Sequence, residues 1–180
     1  MEPVLSESAI SRRRQIGFAI LRILFGVVWG IDASFKWQPA FVNGFTSYLA
    51  GALKGQPPAV RAWIALWLDA AKADPLLFAR LVAVGETLLA IALILGVFTN
   101  LACVGGAAMS FMIWSTAEGF GGPYAAGSTD IGTSIIYIFV FAALLMASAG
   151  RCVSFDRYLA PWLGRWAFVA SGRPAVERDV

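Results

Sequence analysis

A carboxylate in the middle of a long apolar run is the residue of this sequence with the clearest chemical potential. Glu86 lies within the apolar run 75–98. In a helix of that length it is about 15 Å from either end, at 1.5 Å per residue. An ionised group at such a depth is costly unless it is neutralised or paired. Because a carboxyl group in that setting can accept or release a proton, Glu86 is a candidate proton carrier.

The first apolar run supplies charged and aromatic side chains on one helical stripe. Their spacings of three and four residues place them on a single face, and they are Arg22, Phe25, Trp29, Asp32 and Lys36. Asp32 and Lys36 have the i, i+4 spacing of an ion pair. We expect Asp32 to pair with Lys36 or with Arg80. We expect Glu86 to be protonated, or to pair with one of these cations, with Arg22 or with a hydroxyl group.

Two later apolar runs each contribute a hydroxyl group that could approach the carboxylate. Ser110 lies on a stripe of the third run, and Tyr137 lies in the fourth at a depth from which it could donate to Glu86. Such a set suits a small ligand with a polar head and an apolar body, such as a quinone. The predicted ligand-binding residues are Trp29, Asp32, Lys36, Ser110 and Tyr137. The alternative is a hydrogen-bonded polar cluster that only specifies how the helices pair.

The sequence offers no set of ligands for an intrinsic metal or cofactor. Histidine is absent and there are only two cysteines, which excludes His-based zinc sites, catalytic triads and four-thiolate clusters. Cys103, Met109 and Met112 do not share a helical face, so copper binding is not expected. Cys103 and Cys152 are interpreted as two independent thiols, and a thiol pair is the alternative.

The elements that must position these residues are helices in a membrane. Apolar residues make up 59% of the chain and charged residues 14%, against about 45–50% and about 25% in soluble proteins. The net charge of +3 is not gathered on one face, so nucleic acid is not an expected partner. We predict an all-α integral membrane protein, a four-transmembrane-helix bundle with helices over 15–37, 75–98, 101–117 and 131–149.

Local signals define where these helices begin and how they connect. Asp74 before Pro75 can cap the second helix, and Asp130 can cap the fourth. Thr99-Asn100 is predicted to be the hinge between antiparallel helices. Gly26 and Gly30 form a small-xxx-small step that admits a neighbouring helix closely.

Amphipathic segments lie between and after the predicted spans. Residues 58–72 carry their apolar side chains on one face and two tryptophans at one depth, which predicts an interfacial helix. A shorter helix is expected over 41–53, and the segment 150–180 is expected at the cytoplasmic surface. The Gly-rich loop 118–129 is either a lid over the bundle or a flexible connection. Packing at the interface is the plain interpretation of the amphipathic segments, and partner docking is the alternative.

The distribution of basic residues predicts the orientation. Arginines precede or open the first helix and follow the fourth, as expected of cytoplasmic segments; they are Arg12, Arg13, Arg14, Arg22, Arg151, Arg157, Arg165, Arg173 and Arg178. Both termini should therefore be cytoplasmic in a multi-pass protein of a bacterial or archaeal-type cytoplasmic membrane. Lys54, Arg61 and Lys72 are the basic residues that this orientation leaves outside.

Three stretches in consistent order resemble the DoxX/DoxD-like membrane proteins, and more closely the DoxD type. They are LRILFGVVWGIDASFKWQPAF at 21–41, GETLLAIALILGVFTNLA at 85–102 and AGRCVSFDRYL at 149–159. Carried over by position, the recurring polar residues of the family match Lys36, Glu86 and Asp156. Trp29 stands where many DoxX members have a histidine, so this chain departs from the family in that position.

The resemblance implies a four-helix bundle that serves as the small membrane subunit of a thiosulfate:quinone oxidoreductase. We therefore expect a membrane subunit of a redox complex that contacts quinone, with other membrane or redox subunits and the lipid bilayer as partners. An accessory or assembly subunit without catalytic function is the first alternative. A small transporter is the second, and the absence of an inverted repeat counts against it.

Overall fold

The computed structural model describes residues 7–171, with side chains from residue 11. The predicted contributions of Arg173 and Arg178 to the orientation, and the end of the 150–180 segment, lie outside these residues. Within them the fold is all-helical. Seven α-helices follow one another: α1 Glu7–Lys36, α2 Pro39–Ala52, α3 Pro58–Ala73, α4 Pro75–Leu95, α5 Thr99–Ser115, α6 Ser134–Met146 and α7 Asp156–Leu159. Two 3₁₀ turns add Gly119–Gly121 and Gly164–Val169.

Two of the described helices are long and apolar enough to cross a membrane. They are Ser11–Lys36 within α1 and α4 itself, Pro75–Leu95. Helix α5 has 17 residues and α6 has 13. The length of α6 is therefore about 20 Å, which is shorter than the thickness of a hydrocarbon core, about 30 Å. The last predicted span, 131–149, is thus shorter at both ends than its apolar run.

Helix α4 begins as predicted, because the Asp74 carboxylate accepts the Leu77 N–H at 2.9 Å ahead of Pro75. The predicted cap of the last span is wrong. Asp130 accepts the Gly132 N–H instead, so its carboxylate is engaged within its own loop. The N-terminus of α6 is capped by Glu118, which accepts from the Ser134 N–H and hydroxyl group.

The connection between α4 and α5 lies three residues earlier than predicted. Helix α4 ends at Leu95, and Gly96 has the left-handed φ of 67° that glycine adopts most readily. Thr99 and Asn100 already belong to α5. The predicted hinge at Thr99-Asn100 is therefore wrong, although the two helices are joined by a tight turn as expected.

The predicted close approach of the first helix to a neighbour is confirmed, and the neighbour is α4. A Cβ atom on Gly26 would lie 2.9 Å from the Ile94 backbone nitrogen, and one on Gly30 would meet the Ala90 side chain. The two helices run antiparallel, since residue numbers rise on α1 as they fall on α4. The core of the bundle lies beside this contact and contains Phe25, Trp29, Leu89, Leu93, Cys103, Phe141 and Leu144.

Helices α2 and α3 form a smaller layer with a core of its own. Leu49, Leu68 and Ala71 are buried there against Phe78 of α4. The helix predicted over 58–72 is confirmed as α3, Pro58–Ala73, and the shorter one over 41–53 as α2. Their position at a membrane surface stays a prediction.

Arg22 and Asp156 hold the opposite end of the bundle together. The buried Arg22 guanidinium donates to the carbonyl oxygens of Ala149 at 3.0 Å and Val153 at 2.6 Å. The buried Asp156 carboxylate accepts the backbone N–H groups of Phe98, Thr99 and Ser171 at 2.6 to 2.9 Å. It thereby caps α5 and fixes the C-terminal segment to the bundle.

Candidate functional site

A cavity of about 780 Å³ lies between the small layer and the bundle, at the end where α1 stops. Its walls come from α1, α2, α4, α5 and α6, with Trp67 added from α3. Most of the wall is apolar or aromatic. The predicted site residues that line it are Trp29, Asp32, Lys36, Glu86 and Tyr137.

An ion-paired cluster lies in one wall of the cavity. The Lys36 ammonium is 2.7 Å from Asp32 Oδ2 and 3.3 Å from Glu86 Oε2. The side chains of Asp32, Lys36 and Glu86 are 48%, 18% and 0% exposed, in that order. Lys36 therefore lies between an exposed carboxylate of its own helix and a buried one of α4. The predicted pairing of Asp32 and Glu86 with Lys36 is confirmed.

Glu86 keeps unused hydrogen-bonding capacity despite this ion pair. Neither carboxylate oxygen has a partner in hydrogen-bond geometry among the described residues. The expected donation from Tyr137 is not formed, since no hydrogen bond to its hydroxyl group occurs in the described part of the chain. The expectation that Glu86 would be buried is confirmed, and the expectation that it would be hydrogen-bonded there is wrong.

Trp29 and Tyr137 belong to an aromatic cluster behind the ion pair. The Trp29 ring is 5.7 Å from that of Tyr137 and 5.8 Å from that of Phe141, and Phe25 contacts all three. Trp29 is 2% exposed, and its indole N–H has no partner among the described residues. The cluster therefore holds the indole rigidly while leaving its donor free.

Three residues predicted for the site lie elsewhere. Ser110 is fully buried but does not line the cavity, because α5 turns it into the bundle interior. Arg80 is exposed and forms no salt bridge within residues 11–171, because α1 ends at Lys36 beside Glu86, and Arg80 lies about 9 Å further along α4. Arg22 lies near the middle of α1, about 21 Å from Lys36 along the axis, and binds carbonyl oxygens in place of the expected carboxylate.

Several residues of the cavity wall were not among those predicted. Helix α2 contributes Phe41, Phe45 and Tyr48, whose spacing of three and four residues marks one aromatic face. Further unpredicted side chains come from α5 and the residues that follow it, and include Met109, Met112, Ile113, Thr116, Glu118 and Ser134. The aromatic periodicity of α2 is the signal in the sequence that could have indicated this wall, whereas the segment was expected only to pack at the membrane interface.

Several polar groups of the wall are already engaged. The Thr116 hydroxyl group donates to the Met112 carbonyl oxygen, and the Ser134 hydroxyl group donates to Glu118. Donors that remain free among the described residues include the buried indole N–H groups of Trp29 and Trp67 and the phenol of Tyr137. With three carboxylates and one ammonium group among the lining residues, the site disfavours anions.

These features are chemically suited to an uncharged amphiphilic molecule with a small polar head. Comparisons of the chain with protein-family models, curated proteins and solved structures found no match. Within the described residues, no group of three or more His, Cys, Asp or Glu side chains is arranged to hold a metal ion. The free donors and acceptors can bind and orient a polar head, and Glu86 can exchange a proton with it.

Proposed function

We propose that this protein is a multi-pass membrane subunit of a redox complex and that its cavity contacts a quinone. The observation that carries the proposal is the position of the Lys36–Glu86 pair in the wall of a cavity that is otherwise largely apolar and aromatic. An apolar lining with a few convergent polar groups is the usual form of a small-molecule site. The resemblance of residues 21–159 to the DoxX/DoxD-like proteins agrees with it.

The free polar groups of the site match both oxidation states of a quinone. An oxidised quinone has two carbonyl oxygens that accept hydrogen bonds, and the Trp29 indole and the Tyr137 phenol are donors. A hydroquinone has two hydroxyl groups that can donate to Glu86. Interconversion of the two forms moves two electrons and two protons, and the carboxyl group of Glu86 is the proton carrier in this proposal.

The electrons in this proposal come from or go to a partner subunit. The sequence has no histidine, and its two cysteines are at separate places, Cys103 buried and Cys152 beside Gln15. In this proposal the chain binds and orients the quinone and exchanges protons with it, while an electron carrier of the partner subunit transfers the electrons.

The membrane arrangement is part of the same proposal. Helices α1, α4, α5 and α6 cross a bacterial or archaeal-type cytoplasmic membrane, and both termini are cytoplasmic. Helices α2 and α3 then lie at the outer surface, where Trp63 and Trp67 are at headgroup depth. This places the cavity near the outer face and the Arg22–Asp156 contacts near the cytoplasmic face.

Photolabelling of the complex purified in mild detergent tests the proposed function. An azido-quinone should label peptides of the cavity wall, and Ala117→Trp, which introduces an indole ring at that wall, should lower the labelling at least tenfold. Ala117 lines the cavity, whereas Ala70 is an exposed residue of α3 that does not. Ala70→Trp should therefore leave the labelling unchanged. Equal labelling of both variants would overturn the proposed quinone site.

The same preparation tests the accessory-subunit alternative. That alternative is favoured by exposed aromatic side chains of the C-terminal segment, of which Trp162 is 89% and Phe168 66% exposed. A stable complex with no label in the cavity wall, and with cross-links from this segment to another subunit, supports an accessory role. Labelling confined to the cavity wall supports the quinone site.

A further inference from the structure

Several polar atoms in the cavity wall lack hydrogen-bond partners, and they differ in how strongly a ligand would stabilise them. Three of the unpartnered buried atoms in its wall belong to Glu86 and Trp29: two carboxylate oxygens and one indole N–H. A buried acceptor without a donor loses its hydration without compensation, and more so when it is charged. Glu86 therefore gains most from a ligand that donates.

Lys36 compensates the charge of Glu86 but not its hydrogen-bonding capacity. Its ammonium group forms the shorter contact, 2.7 Å, with Asp32 and lies 3.3 Å from Glu86 outside hydrogen-bond geometry. Asp32 is the more exposed carboxylate. The Lys36 side chain can therefore turn toward Asp32 and keep its better bond while a ligand approaches Glu86.

The charges of the cavity wall restrict further which polar head groups can bind. Asp32, Glu86 and Glu118 face a single cation, Lys36, so an anionic head is repelled. A carbonyl oxygen directed at Glu86 is repelled as well, because both groups are acceptors. A neutral hydroxyl group on an aromatic ring satisfies the carboxylate without adding charge, and its ring packs against Trp29 and Tyr137.

We infer that the site selects the hydroquinone over the quinone, through a hydrogen bond from a ring hydroxyl group to the Glu86 carboxylate. This inference rests on the proposed function and adds to it which oxidation state is held more tightly. A tenfold preference for the reduced form raises the midpoint potential of the bound two-electron couple by about 30 mV. The cavity is then a site at which quinone becomes easier to reduce.

A pair of redox-inert probes isolates the hydroxyl group. A short-chain alkyl benzoquinone that quenches indole fluorescence serves as the reporter in the purified full-length protein, and 4-heptylphenol and 4-heptylanisole compete with it. The two competitors share ring and tail, and only the phenol donates. We expect half-displacement at a phenol concentration at least tenfold below that of the anisole, because a site built to bind a hydroxyl group rejects the analogue without one.

Two variants assign the preference to Glu86. Glu86→Gln replaces one acceptor oxygen by an amide N–H donor and removes the charge, so the phenol preference should fall below threefold. Asp69→Asn, which changes an exposed carboxylate of α3 that pairs with Lys72, should keep the wild-type preference. Equal displacement by phenol and anisole in the wild type, with the reporter still bound, overturns the inference and leaves the proposed quinone site standing. Absence of any specific reporter quenching overturns the proposed function and the inference with it.

Discussion

The Lys36 ammonium group lies 3.3 Å from the Glu86 carboxylate and joins α1 to α4 beside the cavity. Among the residues whose side chains are described, the Lys36–Glu86 contact is the only salt bridge between two helices. The Lys36–Asp32 and Lys72–Asp69 pairs each lie within one helix. Glu86 is fully buried, so the ammonium group is what makes an ionised carboxylate tolerable there.

Lys36→Met should destabilise the protein by about 2–4 kcal/mol, because it leaves a buried carboxylate without its cation. The expected loss is smaller than for a fully enclosed ion pair because Lys36 is 18% exposed. Unfolding by SDS in detergent micelles, followed by circular dichroism, measures the change. Lys72→Met is the matched control, since it breaks an exposed pair that contributes roughly 0–1 kcal/mol.

A double variant separates the buried charge from lost packing. Lys36→Met combined with Glu86→Gln should recover at least half of the stability lost in Lys36→Met, because no uncompensated buried charge remains and Asp32 is half exposed. If Lys36→Met costs no more than Lys72→Met, the ion pair does not stabilise the contact between the two helices.

Gly26→Ala should destabilise the bundle by about 1–3 kcal/mol through overpacking. An added Cβ atom would lie 2.9 Å from the backbone of Ile94, which cannot move away without separating α1 from α4. Gly17→Ala is the control on the same helix, because nothing lies within 4 Å of its Cβ position. It should be neutral or stabilising by up to about 1 kcal/mol from helix propensity. Equal stability of the two variants would contradict the close approach.

The sequence was sufficient for the elements whose signals are local. The capping carboxylate Asp74, the i, i+4 pair of α1 and the small-residue step at Gly26 depend on neighbours within a few residues, and the structure has each of them. The burial of Glu86 followed from its depth in an apolar run. Each of these properties is set by spacing along one helix.

The helical periodicity of the sequence could not predict contacts between distant segments of the chain. Arg22 binds carbonyl oxygens more than 120 residues away. Because every residue has a backbone carbonyl group, the sequence does not indicate which of them accepts these hydrogen bonds. Ser110 was assigned to the site from its helical face and Arg80 from its depth in the second helix, but neither property specifies how each helix is rotated in the bundle. Glu118 replaced Asp130 as the cap of α6 because loop geometry, rather than sequence distance, decides which carboxylate reaches the helix.

Asp156→Asn should lower the stability by about 1–3 kcal/mol and expose the C-terminal segment. The carboxylate accepts three backbone N–H groups, and an amide offers one oxygen and directs its own N–H at the other donors. Trypsin cleavage after Arg157 and Arg165 should become faster in the variant. The control is Asp130→Asn, which changes an exposed loop carboxylate; trypsin should cleave this variant at the wild-type rate. If trypsin cleaves both variants at the same rate, the anchoring role of Asp156 is refuted.

Cysteine labelling in intact cells tests the proposed membrane arrangement. In a background with Cys103 and Cys152 replaced by alanine, a membrane-impermeant maleimide should label Ala125→Cys in the loop before α6. It should label Ser11→Cys and Arg157→Cys only after the cells are permeabilised. All three residues are exposed, so protection reflects the membrane. Labelling of Ser11→Cys from outside contradicts cytoplasmic termini.

Glu86→Gln should lower the quinone-linked activity of the assembled complex at least tenfold, since positioned acid–base groups contribute about 10²–10⁴-fold to rates. The amide preserves the size of the side chain and removes the exchangeable proton. Because the substitution also relieves a buried charge, the complex should assemble as the wild type does, which size-exclusion chromatography in detergent checks. Asp69→Asn, on the exposed face of α3, should retain full activity. Glu86→Leu separates the roles further: a purely structural Glu86 predicts full activity in Glu86→Gln and reduced yield in Glu86→Leu. A well-assembled Glu86→Gln complex with intact activity would therefore exclude the proton-carrier role and favour an accessory subunit.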